Sequence, residues 1–445
     1  MHRRAFVKNS TLSTAAMLTT RGLGNPLADE IQILNPQNRV PVSFIIDDST
    51  ALVNLAYYGI PQFKEIFPDK YLQDWKKLPR EIPDSFVLEF IEWCDNHGVK
   101  GKYSMVPYPA CTGWLHRFIP GWTKKDLEAS LKIVRELVQP NWDIHSEMIS
   151  HTRVIDTRTG MPFPEASVDF MENWEWSQER SADELGEYIA YSLQILKDAG
   201  LHCDGVTTPG GFGHRNIPNL AKGTQFAVKE VYGGKVAHFF RDVITDKNQS
   251  VRPQVFHAEG LDGDQASCSV HIIGCTGDWF GGWDGLTPGD ADRFITADLK
   301  DGRMVEVIES GEPAIMVCHW PGIYYNGDKL GFNIFKTVVQ RLHEKYDHLT
   351  WMKLSEISSY WAAREFTKIA VSGSQVDLVA PFDCERFTLQ VPAQLTKAVF
   401  KAGAKTIVLN QVQSKKALQK NSWTRDGVNT ILCFDLPKGN SRIEG

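Results

Sequence analysis

From residue 40 to about 365, short apolar runs alternate with longer amphipathic stretches. Val42-Ser43-Phe44-Ile45-Ile46 reads as a buried strand bounded by Asp47-Asp48. Further strands are predicted over Lys102 to Val106, Trp142 to Ile144, His202 to Thr207, Val236 to Val243, Cys268 to Gly274, Ala314 to Cys318 and Leu349 to Lys353. Between them, apolar residues at helical spacing predict helices over Ser85 to His97, Lys125 to Val138, Ala182 to Ala199 and Asn333 to Tyr346. Gly98 and Gly200 stand where the first and third of these would stop. Strands alternating with helices mean parallel βαβ units in an α/β fold, and this many points to a (β/α)7-8 barrel rather than an open sheet. Past residue 365 the helical spacing stops. Lys368 to Val371, Gln375 to Val379, Phe387 to Val391, Thr406 to Leu409 and Thr430 to Phe434 are short and strand-like, which predicts a small all-β, sandwich-like module over 365–445 after a barrel over 38–364.

Barrels of this kind carry their chemistry at the C-terminal ends of strands, so reactive polar residues should directly follow the apolar runs. They do. Asp47-Asp48 follows the first strand and His145-Ser146-Glu147 follows Trp142-Asp143-Ile144. Thr207-Thr208-Pro209-Gly210-Gly211 follows the run from His202, Asp278-Trp279 comes just after Gly274-Cys275, and His319-Trp320 closes Ile315 to Cys318. Five such coincidences in sequential order are hard to explain by packing alone.

Composition narrows the class. With 42% hydrophobic and 23% charged residues the chain is neither disordered nor fibrous. A net charge of -6 with interspersed signs excludes a nucleic-acid partner that needs clustered Lys and Arg. The 13 Trp lean towards a carbohydrate partner, although core Trp is the commoner use. The eight cysteines are scattered without C-x-x-C, and several sit in apolar runs, so few or no disulfides are expected. Arg3-Arg4-Ala5-Phe6-Val7-Lys8 followed by the weakly apolar Ser10 to Thr20 is a twin-arginine export pattern over 1–30, with a cleavage point near Pro26-Leu27-Ala28. It predicts a periplasmic or extracellular protein, and no later segment reaches the ~20 apolar residues that span a bilayer.

The order of these segments resembles the polysaccharide deacetylase (NodB-like) superfamily over roughly residues 40–360. The resemblance implies that Asp47 is the general base and Asp48 a metal ligand. The family's His-Thr/Ser-x-x-His motif is matched within Asp143 to His151, with His151 in the second histidine position and Glu147 in the first. A carboxylate still ligates zinc, at about 2.0–2.2 Å, and shifts preference towards harder cations. His145 is a further ligand or supporting candidate. Thr207 stands where the family has the Arg that orients the base, with Arg153 and Arg215 as candidate replacements. Asp278-Trp279 resembles the pair that closes the cleft, and His319 the acid that protonates the leaving group. Trp320, Tyr324 and Tyr325 are candidate substrate contacts, and Trp279, Phe280 and Trp283, interleaved with Gly281-Gly282, form an aromatic loop suited to a sugar face. Together these imply a divalent-metal hydrolase (zinc, with cobalt or nickel as alternatives) acting on an acetylated glycan. Two other functions stay open: a carbohydrate-binding protein on an altered barrel, and a related glycoside hydrolase using Asp47 and Glu147.

Overall fold

A computed structural model describes residues 31–445; the twin-arginine segment and its cleavage point lie outside the described residues. The strands are β1 (Val40–Asp47), β2 (Gly101–Met105), β3 (Trp142–Ser146), β4 (Gly205–Thr207), β5 (Val236–Val243), β6 (Gln254–Glu259), β7 (Ser267–Gly274), β8 (Ala314–His319) and β9 (Leu349–Trp351). They form one sheet in the order β8-β1-β2-β3-β4-β5-β7-β6, with β9 pairing the start of β1. Only β6 runs antiparallel. All eight residues of β1 are buried, which is why its sequence reads as an apolar run rather than an alternation.

The sheet curls, but its ladder does not close. Where a complete barrel would pair β7 with β8, the two ends meet through Cys275 N–H donating to Ile315 O (2.8 Å) and Val317 N–H donating to Thr276 Oγ1 (3.0 Å). The expected closed barrel is therefore an open, curled one. Its outer layer comprises α1 (Leu55–Ile66), α2 (Asp84–Asn96), α3 (Lys124–Ile133), α4 (Ala182–Asp198), α5 (Ile217–Tyr232), α6 (Arg303–Glu309), α7 (Leu330–Lys345) and α8 (Leu354–Phe366). The sequence pattern did not indicate α1, α5, α6 or α8. Pro61 interrupts α1, and α5 carries Gly223, where a Cβ would meet Gly186 N of α4 at 2.9 Å. α1 follows directly on Asp47-Asp48, capped by Asn54, and brings Phe63 to the pocket at the strand ends.

Residues 368–444 supply strands to two five-stranded sheets that share a core, with Phe400 of one stacked on Phe434 of the other at 4.6 Å. Gln32–Ile33, ahead of the curled sheet in sequence, pairs antiparallel with Cys384–Val391. Tyr360 of α8 ties the layers together, donating to Leu34 O and accepting from Thr388 N–H. All eight cysteines are free. Among the described residues no helix is long and apolar enough to cross a membrane.

Candidate active site

The parallel register of β8 on β1 sets His319 directly beside Asp47. One residue on, Asp48 leaves the strand in the left-handed region at φ 57°. Across the sheet, β3 ends at Ser146, and the following loop carries two more left-handed non-glycine residues, Met148 (φ 49°) and His151 (φ 63°). Such conformations cost on the order of 1–3 kcal/mol each and persist only where the surroundings fix them.

Glu172 fixes this loop. Its buried carboxylate accepts the backbone N–H groups of Ile149 (3.1 Å), Ser150 (3.1 Å) and His151 (2.6 Å), and the Tyr188 hydroxyl (2.6 Å). Sequence reasoning missed Glu172, because one acceptor serving three successive N–H groups leaves no periodic trace. Exchanging one carboxylate oxygen for an amide in Glu172→Gln sets an N–H against these donors. The expected result is a metal affinity about 10- to 100-fold weaker, the usual cost of losing a ligand's support. Competition against a chelating dye measures it, and unchanged affinity would show that the loop holds itself.

Asp48, Glu147 and His151 come together with one ligand atom each, all within 4.8 Å of one another and all buried. His151 Nε2 lies 2.7 Å from Asp48 Oδ1 and 3.5 Å from Glu147 Oε1. Glu147 Oε2 accepts the Asp48 backbone N–H at 2.8 Å, which leaves Oε1 facing the group. Asp48 Oδ1 is close to the imidazole, yet it accepts no well-directed hydrogen bond. Ligands about 2.1 Å from a tetrahedral ion stand roughly 3.4 Å apart, so the spacing and the unspent oxygen both fit a divalent cation. Burial pushes the His151 imidazole down, but the Asp48 and Glu147 carboxylates outweigh it and raise it well above its usual value. Burial likewise pushes Glu147 up, and His151 with the Asp48 N–H pulls it down to about 2.

A second buried group, Asp143, His145 and His238, lies deeper among the strands. His145 faces Thr207 Oγ1 (3.2 Å) and His238 Nε2 (2.7 Å), not the first group. Asp143 accepts Ser355 N–H (2.6 Å) and its hydroxyl (2.8 Å) at the start of α8, and it faces Lys353 at 3.5 Å. Its oxygens are thus already engaged, and the metal-like segment shortens from Asp143–His151 to Glu147–His151.

The partner of Asp47 is Lys102. Wholly buried on β2, its Nζ contacts Asp47 Oδ1 and donates to Ile46 O (2.9 Å) and Ser104 Oγ (2.8 Å). Neither arginine expected to replace the missing one does so. Arg153 pairs with Glu65 and Arg215 with Glu175. Thr207 serves His145 instead. Burial raises the Asp47 carboxyl, Lys102 opposes it, Glu147 adds to it, and the net position is about 6. A lysine inside a fully buried strand was a readable signal that the sequence reading passed over.

His319 Nδ1 is 2.7 Å from Asp278 Oδ1, which leaves Nε2 for the pocket. Burial depresses this imidazole, but Asp278 and then Asp48 dominate and hold it near 10, protonated at neutral pH. Asp47, Asp48, Glu147, His151 and His319 line one pocket of about 300 Å³, walled by Phe63, Tyr71 and Trp283. Of the aromatic candidates, all but Trp283 lie elsewhere. Trp320 is fully buried against Phe86 and Phe90, Tyr324 packs on Phe86, and Trp279 is covered by Phe294 and Arg293. None of the three lines the pocket; four residues beyond Trp279, Trp283 does.

No protein-family model and no curated protein matches the chain. Solved structures similar to it include a probable polysaccharide deacetylase from Pseudomonas aeruginosa PAO1, at 12% identity and a TM-score of 0.36, covering 73% of this chain and 91% of that one. A putative glycoside hydrolase/deacetylase from Parabacteroides distasonis is similar at 11% identity and a TM-score of 0.40, over 81% and 82%. An allantoinase is similar at 12% identity and a TM-score of 0.37, over 74% and 91%.

Proposed function

We propose that this chain is a metal-dependent hydrolase that removes acetyl groups from carbohydrate. The observation that carries the proposal is one pocket holding a three-ligand metal group, a carboxylate tuned to about 6 and a protonated imidazole on the adjacent strand end. Asp48, Glu147 and His151 would hold the ion. Bound there, a divalent cation supplies Lewis-acid polarisation of the acyl oxygen and acidifies water.

The chain's own groups divide the proton work. Above about pH 6 Asp47 is ionised and accepts a proton from the attacking water, while Lys102 keeps its carboxylate in place. As the carbon–nitrogen or carbon–oxygen bond breaks, His319 Nε2 gives its proton to the departing amine or alcohol. Acetate and the free sugar result. The aromatic wall offers faces to a sugar ring and keeps bulk water out. Export on the twin-arginine pattern at Arg3-Arg4 belongs to the same proposal.

Acetate release from a panel of N- and O-acetylated sugars by zinc-, cobalt- or nickel-loaded protein tests it. Turnover is expected with an acidic limb near pH 6 set by Asp47. Asp278→Asn removes the main group that keeps His319 charged, so its folded-state pKa falls towards the ordinary histidine value. The alkaline limb of the profile then moves down by about one unit or more. A limb that stays put takes the acid role away from His319, and no acetate from any sugar with any of the metals sinks the hydrolase assignment.

A further inference from the structure

Of the polar pocket side chains that the proposed chemistry does not use, two carry a buried polar atom without a partner. Arg241 lies at a β-bulge of β5: Ile272 of β7 pairs with Phe240 and the next residue, Ile273, with Asp242, so Arg241 has no partner across the ladder. In an even strand neighbouring side chains face opposite ways, whereas here Phe240 and Arg241 both line the pocket. Bulges beside active sites re-aim a side chain in this way. Among the described residues the Arg241 guanidinium makes no ion pair, and its Nε is buried without a hydrogen-bond partner. Its sequence neighbour Asp242 faces His271 instead, at 3.3 Å.

The second is Asn173. It is 7% exposed, lines the same pocket, and its side-chain Oδ1 is buried without a partner. Its backbone is clamped, with its carbonyl accepting Gly211 N–H at 2.6 Å. A Cβ on Gly211 would come within 2.9 Å of that same carbonyl oxygen, so the glycine permits the approach. The Pro209-Gly210-Gly211 turn thus sets Asn173 in place.

A guanidinium whose Nε is buried unpaired, beside a fixed carboxamide whose Oδ1 is buried unpaired, is costly to leave without a ligand. We propose that they form a carboxylate subsite, so that the sugar taken into the pocket is an acidic one, of the uronic-acid class. The guanidinium fork matches a carboxylate in two parallel hydrogen bonds, and the unpaired Asn173 Oδ1 accepts from a hydroxyl of the same sugar. Asp47, Asp48 and Glu147 line the same pocket, and a singly charged carboxylate is repelled less by them than a phosphate dianion. The inference rests on the carbohydrate reading of the site but not on turnover.

Binding of methyl glucuronoside and methyl glucoside to the zinc-loaded protein, followed by tryptophan fluorescence or calorimetry, tests it. The uronate is expected to bind about ten- to a hundredfold more tightly than the neutral sugar. Arg241→Met should abolish that preference, Arg241→Lys should keep part of it, and Asn173→Asp should weaken the uronate selectively. Glucose 6-phosphate as a third probe separates a carboxylate subsite from a general anion site. Equal binding of the two glycosides, binding of neither, tighter binding of the phosphate, or a preference that survives Arg241→Met each overturns the proposal. Acetate release from acetylated methyl glucoside and glucuronoside is followed in parallel. If neither is cleaved while the uronate preference holds and depends on Arg241, the hydrolase assignment fails and the subsite stands.

Discussion

Lys102→Met is expected to cost about a hundredfold in kcat/KM at neutral pH, although the residue touches neither substrate nor metal. The side chain is fully buried and its Nζ meets Asp47 Oδ1, with Ile46 O and Ser104 Oγ fixing the ammonium. Burial already raises Asp47 to about 6, and Lys102 is the largest influence opposing it. Without the ammonium, burial and Glu147 act unopposed by it, and the folded-state pKa climbs further. The acidic limb of the pH–rate profile moves to higher pH, so part of the lost rate returns under alkaline conditions. A deleted general base costs about 10²- to 10⁴-fold, and a base that is only mistuned should fall at the low end.

Stability carries the matching signature. A carboxyl raised in the folded state binds its proton more tightly there than in the unfolded chain. Its ionisation therefore costs stability as pH rises from the unfolded value towards the folded one. In Lys102→Met the upper edge of that window lies above about 6. The loss relative to the parent should be small near pH 5 and approach about 3–5 kcal/mol near pH 8, where Asp47 is a buried charge without its partner. The double variant Lys102→Met with Asp47→Asn should recover most of it. Thermal unfolding at the two pH values decides. An equal loss at both, or no shift in the acidic limb, would reduce Lys102 to a packing residue.

Asp48→Asn is the second large effect. The amide matches the carboxylate in shape but lacks its charge, so the metal group drops from two carboxylates and an imidazole to one of each. A bound metal contributes several kcal/mol to such a reaction, and its loss is expected to lower turnover by about 10³-fold or more. Excess zinc should restore little of it. Full activity in Asp48→Asn would place the ion, or the reaction, elsewhere.

Much of the frame was legible because parallel strands buried on both faces write themselves as apolar runs. The polar residue ending each run then marks the mouth, and Asp47, Asp48, Glu147 and His319 were found in this way, whereas His151 came only from the resemblance of its segment to a family motif. What was not legible depends on distance in three dimensions. Glu172 organises the loop from 20 or so residues away, and Lys102 replaces a missing arginine from a neighbouring strand. Trp320 failed as a pocket residue because following a strand end does not decide which side of the sheet a ring enters; it turned into the core against Phe90. Arg241 was hidden for a related reason: a bulge changes the facing of a side chain without changing the composition of the run. The helix α5 was overlooked because its glycine marks close helix packing rather than a break.

Metal content tests the central claim most directly, because the described residues hold two groups with metal-ligand chemistry and only one of them faces the pocket. Protein reconstituted with zinc and freed of excess should be analysed as the parent, Asp48→Asn and His238→Gln. One ion per chain is expected in the parent and in His238→Gln, and none in Asp48→Asn. Zinc that survives Asp48→Asn but disappears with His238→Gln, or a parent that binds none, would contradict the account.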